Sequence, residues 1–188
     1  MFVEVVSYIW NLFTLWLHTL FITPFLNTQM LWLLVPIWIA WFFAEFFQEK
    51  EGTSLGNAMS NAIVILWGSI DCMRQTITLI SQGVLIGTWD LVGRFFLIVL
   101  LFVYGIVIII LGWQGKQIIR KIGRIREVTY FFAMFVPVFY NAIPFSLEHL
   151  LAAILFFPAF YYGIELIDRE TPDPRALVED TEAKRAGK

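Results

Sequence analysis

The chain has 188 residues, 59% of them hydrophobic and 15% charged, with a mean hydropathy of +0.75 and a formal net charge of −2. Globular domains carry about 45–50% apolar and about 25% charged residues, so a soluble domain is excluded and an integral membrane protein is predicted. A pI near 5.7 excludes the basic face of a nucleic-acid binder, and the single cysteine, Cys72, leaves no intrachain disulfide.

The predicted fold class is all-α, a polytopic integral membrane bundle of about six transmembrane helices. A hydrocarbon core roughly 30 Å thick takes about 20 apolar residues in a helix, and several segments meet or approach that length. Residues 1–167 form the membrane-embedded unit and 168–188 a charged cytoplasmic tail. The first helix is predicted over about 3–23 and ends at Pro24. It has Glu4 in place of a basic leader and reads as a retained helix rather than a cleavable signal. Asn27, Thr28 and Gln29 make the turn. The second helix covers about 30–47 and contains Pro36. A loop with Glu49, Lys50 and Glu51 leads to the third, about 55–82. The fourth runs over about 85–113, the fifth over about 129–143 before Pro144, and the sixth over about 146–167 with a kink at Pro158.

Lys116, Arg120, Lys121, Arg124 and Arg126 lie between the fourth and fifth helices. The positive-inside rule makes that loop cytoplasmic, and counting spans then places both termini inside. No Lys or Arg precedes Lys50, so the first helix lacks an anchor. If it lies along the interface, five spans remain. The five basic residues alternate with Ile118, Ile119, Ile122 and Ile125, which suits a short amphipathic turn against anionic headgroups as well as a plain topology determinant.

The third helix carries the main functional lead. Asn57, Asn61, Gly68, Asp71, Gln75, Thr78 and Gln82 recur at three- and four-residue steps, interrupted only by Val64. That spacing puts them on one side of a helix, opposite Ile63, Ile70 and Ile77. Asp71 lies fourteen residues beyond Asn57, roughly 20 Å along the axis at 1.5 Å per residue. A carboxylate at that depth costs several kcal/mol unless paired or hydrated. Arg74, one turn away, is the nearest counter-charge. Three arrangements meet the cost: the stripe lines a hydrated path, packs against another helix, or leaves the bilayer after residue 68.

Other polar groups are fewer. Asp90 and Arg94 form an i, i+4 pair in the favourable order, suited to anchoring a helix end. Gly83 and Gly87 have the spacing of a close helix contact. Glu45 with Glu49, and Glu165 with Asp168, are carboxylates one turn apart near the cytoplasmic ends; they suit solvated helix ends or acid–base chemistry. His18, Glu148 and His149 are weak metal candidates: adjacent Glu148 and His149 point about 100° apart on a helix, and no metal or other cofactor is expected. Walker A, dinucleotide and nucleophile-elbow motifs are missing.

These observations predict a transport or channel-type membrane subunit. Asp71 is its charged site, and Asn57, Asn61, Gln75, Thr78 and Gln82 line the path. The alternative is a non-catalytic structural or assembly subunit whose polar stripe meets a helix of another chain. An enzyme acting on lipid at Glu45 ranks third. Expected partners are the bilayer and either further copies of the chain or other membrane subunits, with no nucleic acid.

Overall fold

The computed structural model describes residues 2–48 and 52–172, and every regular element among them is helical. Helix α1 (Phe2–Phe21) leads through short α2 (Thr23–Leu26) and a 3-10 turn (Thr28–Met30) into α3 (Leu31–Phe43). The end of α3 widens into a π-helical segment, Ala44–Gln48. Then come α4 (Leu55–Ser81), α5 (Thr88–Trp113), the single turn α6 (Ile119–Ile122), α7 (Ile125–Phe139) and α8 (Leu147–Glu170). The charged tail predicted over 168–188 lies outside the described residues beyond 172.

Local chemistry sets the boundaries. Ser54 and Ser146 cap α4 and α8, their hydroxyl oxygens accepting from the backbone N–H groups of Asn57 and His149. Asn141 adopts φ 56° just past α7, a left-handed stop that asparagine tolerates. Gly83, with φ +71°, supplies the same conformation after α4. The Gly83–Gly87 spacing therefore falls in a turn and mediates no helix packing. Gly105 and Gly112 do: a Cβ would sit 2.9 Å from Leu66 and 2.7 Å from Met59, respectively. Those contacts run α4 and α5 antiparallel as a long hairpin.

Four helical segments among the described residues are long and apolar enough to cross a membrane: Thr28–Phe47, α4, α5 and α8. Two of the six predicted spans fall outside this set. The Glu4, Asn11 and His18 side chains dilute α1, and the fifteen residues of α7 rise only about 22 Å. The fifth helix also starts four residues earlier than predicted and ends at Phe139. Its charged first turn, Ile125–Val128, looks like loop in sequence, yet Arg126 is only 2% exposed because partners on two other helices neutralise it.

Helix α7 is the centre of the molecule. Thirteen of its fifteen residues are buried, and α1, α3, α4 and α8 all pack on it. Along α8 the register is antiparallel. Arg126 meets Glu165, the Tyr130 hydroxyl donates to the Ala153 carbonyl, and His149 Nε2 bonds the Met134 carbonyl oxygen. Along α4 the register is parallel, with Phe132 seated on Gly68 and Tyr140 on Asp71. Phe132, Met134, Val136 and Phe139 join Leu33, Leu34, Ile65 and Ile98 in one apolar core. Outside it, Trp32, Trp67, Phe96, Val103 and Ile154 are exposed, an apolar exterior far beyond that of a soluble monomer.

Candidate functional site

Two ends of the bundle carry its polar chemistry: one holds Asp71, the other Arg126. Between them lies the apolar layer formed by Ile65, Phe132 and their neighbours in the core.

The polar stripe of α4 divides into two halves with different roles. Its first half serves internal packing. Asn61 is buried and donates from Nδ2 to the Gly123 carbonyl at 2.8 Å, tying α4 to the turn before α7. Gly68 admits the Phe132 ring, which lies 2.2 Å from where a Cβ would stand. Asn57 is half-buried beside the Ser54 cap.

The second half opens to a cleft. Asp71 is 5% exposed and accepts on both oxygens. Its Oδ1 takes Arg74 Nε at 3.1 Å and Nη2 at 2.7 Å, while Oδ2 takes the Tyr140 hydroxyl at 2.5 Å. This satisfies the charge that sequence spacing left unsolved, with a phenol contributed from the end of α7. Above the pair lies a cleft of about 630 Å³. Arg74, Gln75, Thr78 and Gln82 line it from α4; Asn27, Gln29 and Trp32 face them; Tyr140 and Asn141 close the floor. Asn57 and Asn61 do not reach it. Sequence reasoning missed Tyr140, Asn27, Gln29 and Asn141. The signal available was their position beside Pro24 and Pro144 at two predicted turns.

A buried arginine stands behind the cleft floor. Arg94 is fully buried and donates to Asp90 Oδ1 at 2.8 Å, to the Val138 carbonyl, and to Asn141 Oδ1 at 3.3 Å. It thereby occupies one carbonyl at the C-terminus of α7, that of Val138, where a cation also suits the helix dipole. Asp90 and Arg94 are thus a latch on α7 and do not enter the cleft.

The opposite end has a second latch. Arg126 donates from Nε and Nη2 to Glu45 Oε1, and from Nη1 to Glu165 Oε2 at 3.1 Å. Its guanidinium lies 4.5 Å from the centre of the Tyr161 ring. The widened turn at Ala44–Gln48 is what presents Glu45, in keeping with the frequent placement of π segments at polar sites. Arg126 therefore faces the protein interior and not lipid headgroups. Arg124 is drawn inward too, bonding the Tyr161 hydroxyl at 2.8 Å, and Arg120 donates to the Thr53 carbonyl. Lys116 and Lys121 remain exposed. Next to Arg126, Glu127 Oε2 is buried and has no hydrogen-bond partner among the described residues.

The metal candidates are dispersed. His18 Nδ1 is 3.1 Å from the Thr23 hydroxyl, His149 is buried on the Met134 carbonyl, and Glu148 is exposed. Among the described residues no three His, Cys, Asp or Glu side chains come together as a metal site. No known family model, curated protein or solved structure matches this chain.

Proposed function

We propose that this protein is a transport-type membrane subunit in which the cleft above Asp71 receives a small polar solute. The observation that carries the proposal is the cleft itself. In a chain this apolar, nine polar or aromatic side chains line one 630 Å³ recess, and at its floor exposed Arg74 pairs with buried Asp71. Intramembrane ionisable groups that face a cavity mark solute or proton pathways, and solutes bind in concave sites with a few fixed polar groups.

In the topology we propose, all six long segments cross the bilayer. Helix α7 is short because it touches protein on nearly every side, so it need not match the hydrocarbon thickness. The loop with Lys116 and Lys121 then lies in the cytoplasm, and the cleft opens to the other side. The packed Phe132–Gly68 layer would be the closed gate beneath it. A larger assembly of copies supplies any continuous conduit. The rival role, an assembly subunit whose stripe meets another chain, is weakened because Asn61 and Asp71 already bond within their own chain.

The test is flux through liposomes containing the full chain, followed by osmotic swelling in potassium acetate, potassium phosphate and urea. Wild-type protein should speed the uptake of at least one of them over protein-free vesicles. Asp71→Asn keeps an acceptor for Tyr140 but loses the charge that orients Arg74, and should abolish or reshape that flux while folding normally. Equal flux in the variant, or none in the wild type, defeats the proposal.

A further inference from the structure

The transport proposal leaves the charge of the solute open, and this inference rests on it. Among the described residues that line it, the cleft presents one exposed cation, Arg74, and no carboxylate. Asp71 has little to offer a cation. It is 5% exposed, and its two oxygens already accept three bonds from Arg74 and Tyr140. Among the described residues no carboxylate lines the cleft, and Asp90 behind it is bonded to Arg94.

The donors tell the opposite story. Arg74 is 60% exposed and uses Nε and Nη2 on Asp71, leaving Nη1 for a ligand. Asn27 spends its side-chain oxygen on the Gln29 backbone N–H at 3.2 Å. Asn141 spends its own on buried Arg94. Each asparagine therefore has its acceptor engaged and its amide N–H groups remaining. Thr78, whose hydroxyl donates to the Arg74 carbonyl, retains only acceptor capacity, and Gln29, Gln75 and Gln82 bring amides that can give or accept; none of the four carries a charge. A cationic solute would meet Arg74 head-on with no free carboxylate. An oxyanion would meet one guanidinium and two amide groups.

We propose that the cleft binds a small oxyanion, a carboxylate or phosphate group, with Arg74 as the ligand-contacting cation. Asp71 and Tyr140 are positioning residues that hold the guanidinium at the floor. Asn27 and Asn141 supply the neutral donors, and Trp32 forms an apolar wall for the remainder of the solute.

Trp32 lines the cleft and gives an intrinsic reporter. The full chain in a non-ionic detergent is titrated with iodide, caesium and acrylamide at constant ionic strength. Subtracting the Trp32→Phe protein isolates the Trp32 signal. Iodide should quench it more strongly than caesium, and potassium acetate or potassium phosphate should compete with iodide. Whichever competes at the lower concentration identifies the oxyanion class. Loss of a charged hydrogen bond in Arg74→Gln should weaken that competition about tenfold or more, with part restored in Arg74→Lys. Stronger quenching by caesium, no competition by either salt, or unchanged competition in Arg74→Gln overturns the proposal. Any of these, alongside Asp71-dependent flux, removes the charge preference and leaves transport standing. Anion competition without flux does the reverse.

Discussion

Asp71 and Arg126 show how the same problem, a charge in an apolar chain, is solved at the two ends of the molecule. Each is almost fully buried, and each is shared between helices: Asp71 between α4 and the end of α7, Arg126 among α3, α7 and α8. For the Arg126–Glu45 pair, where both side chains are buried, removing one partner costs about 3–5 kcal/mol, since the other charge is stranded. The two acids on Arg126 differ in burial, the Glu45 side chain at 6% exposed and that of Glu165 at 34%. Glu45→Gln should therefore lower the thermal midpoint more than Glu165→Gln does, because it strands Arg126 away from water. Equal midpoints in the two variants would show that burial does not set the strength of this latch.

The element that organises the protein is α7, the least membrane-like of the predicted spans by length. Its composition beyond the charged first turn gives no hint of this, because an apolar run such as Phe131–Phe139 reads equally as lipid-facing or as core. Sequence spacing did identify the side of α4 that matters. It could not divide that side into a packing half and a cleft half, because the division depends on where Phe132 and Tyr140 of the neighbouring chain segment fall. Gly68 is the sharpest test of the packing half. Even a methyl there would overlap Phe132, and overpacking typically costs about 1–3 kcal/mol. Gly68→Ala should lower the thermal midpoint, and the added Phe132→Leu should recover part of the loss. A wild-type midpoint in Gly68→Ala would mean that α4 and α7 are not in close contact.

Across the whole molecule, the alternating direction of α3, α4, α5, α7 and α8 sets which turns share an end. Asn27 and Asn141 are more than a hundred residues apart in the chain and still line one recess with Gln75. The native thiol offers a way to map this arrangement. Cys72 is fully buried although it adjoins Asp71, so a small water-soluble maleimide should leave it unmodified until the protein is unfolded. In a Cys72→Ser background, Gln75→Cys and Thr78→Cys should react, and Asn61→Cys should not. Uniform reactivity around α4 would place this helix on the surface instead of along a cleft.

Composition by itself determined the class. Apolar runs of about 20 residues with few charges point to helices that satisfy their own backbone bonds in lipid, and Pro24 and Pro144 marked helix ends to within about five residues. The 3.6-residue period determined that α4 has a polar side with Asp71 on it. Only the tertiary structure decided what that side does. Hydrogen-bond partners are chosen by proximity in space, and proximity between segments 60 or more residues apart is set by how side chains interlock. Gly68 admits Phe132, that contact brings Tyr140 to Asp71, and a stripe that could have faced lipid, a partner or water becomes half core and half cleft.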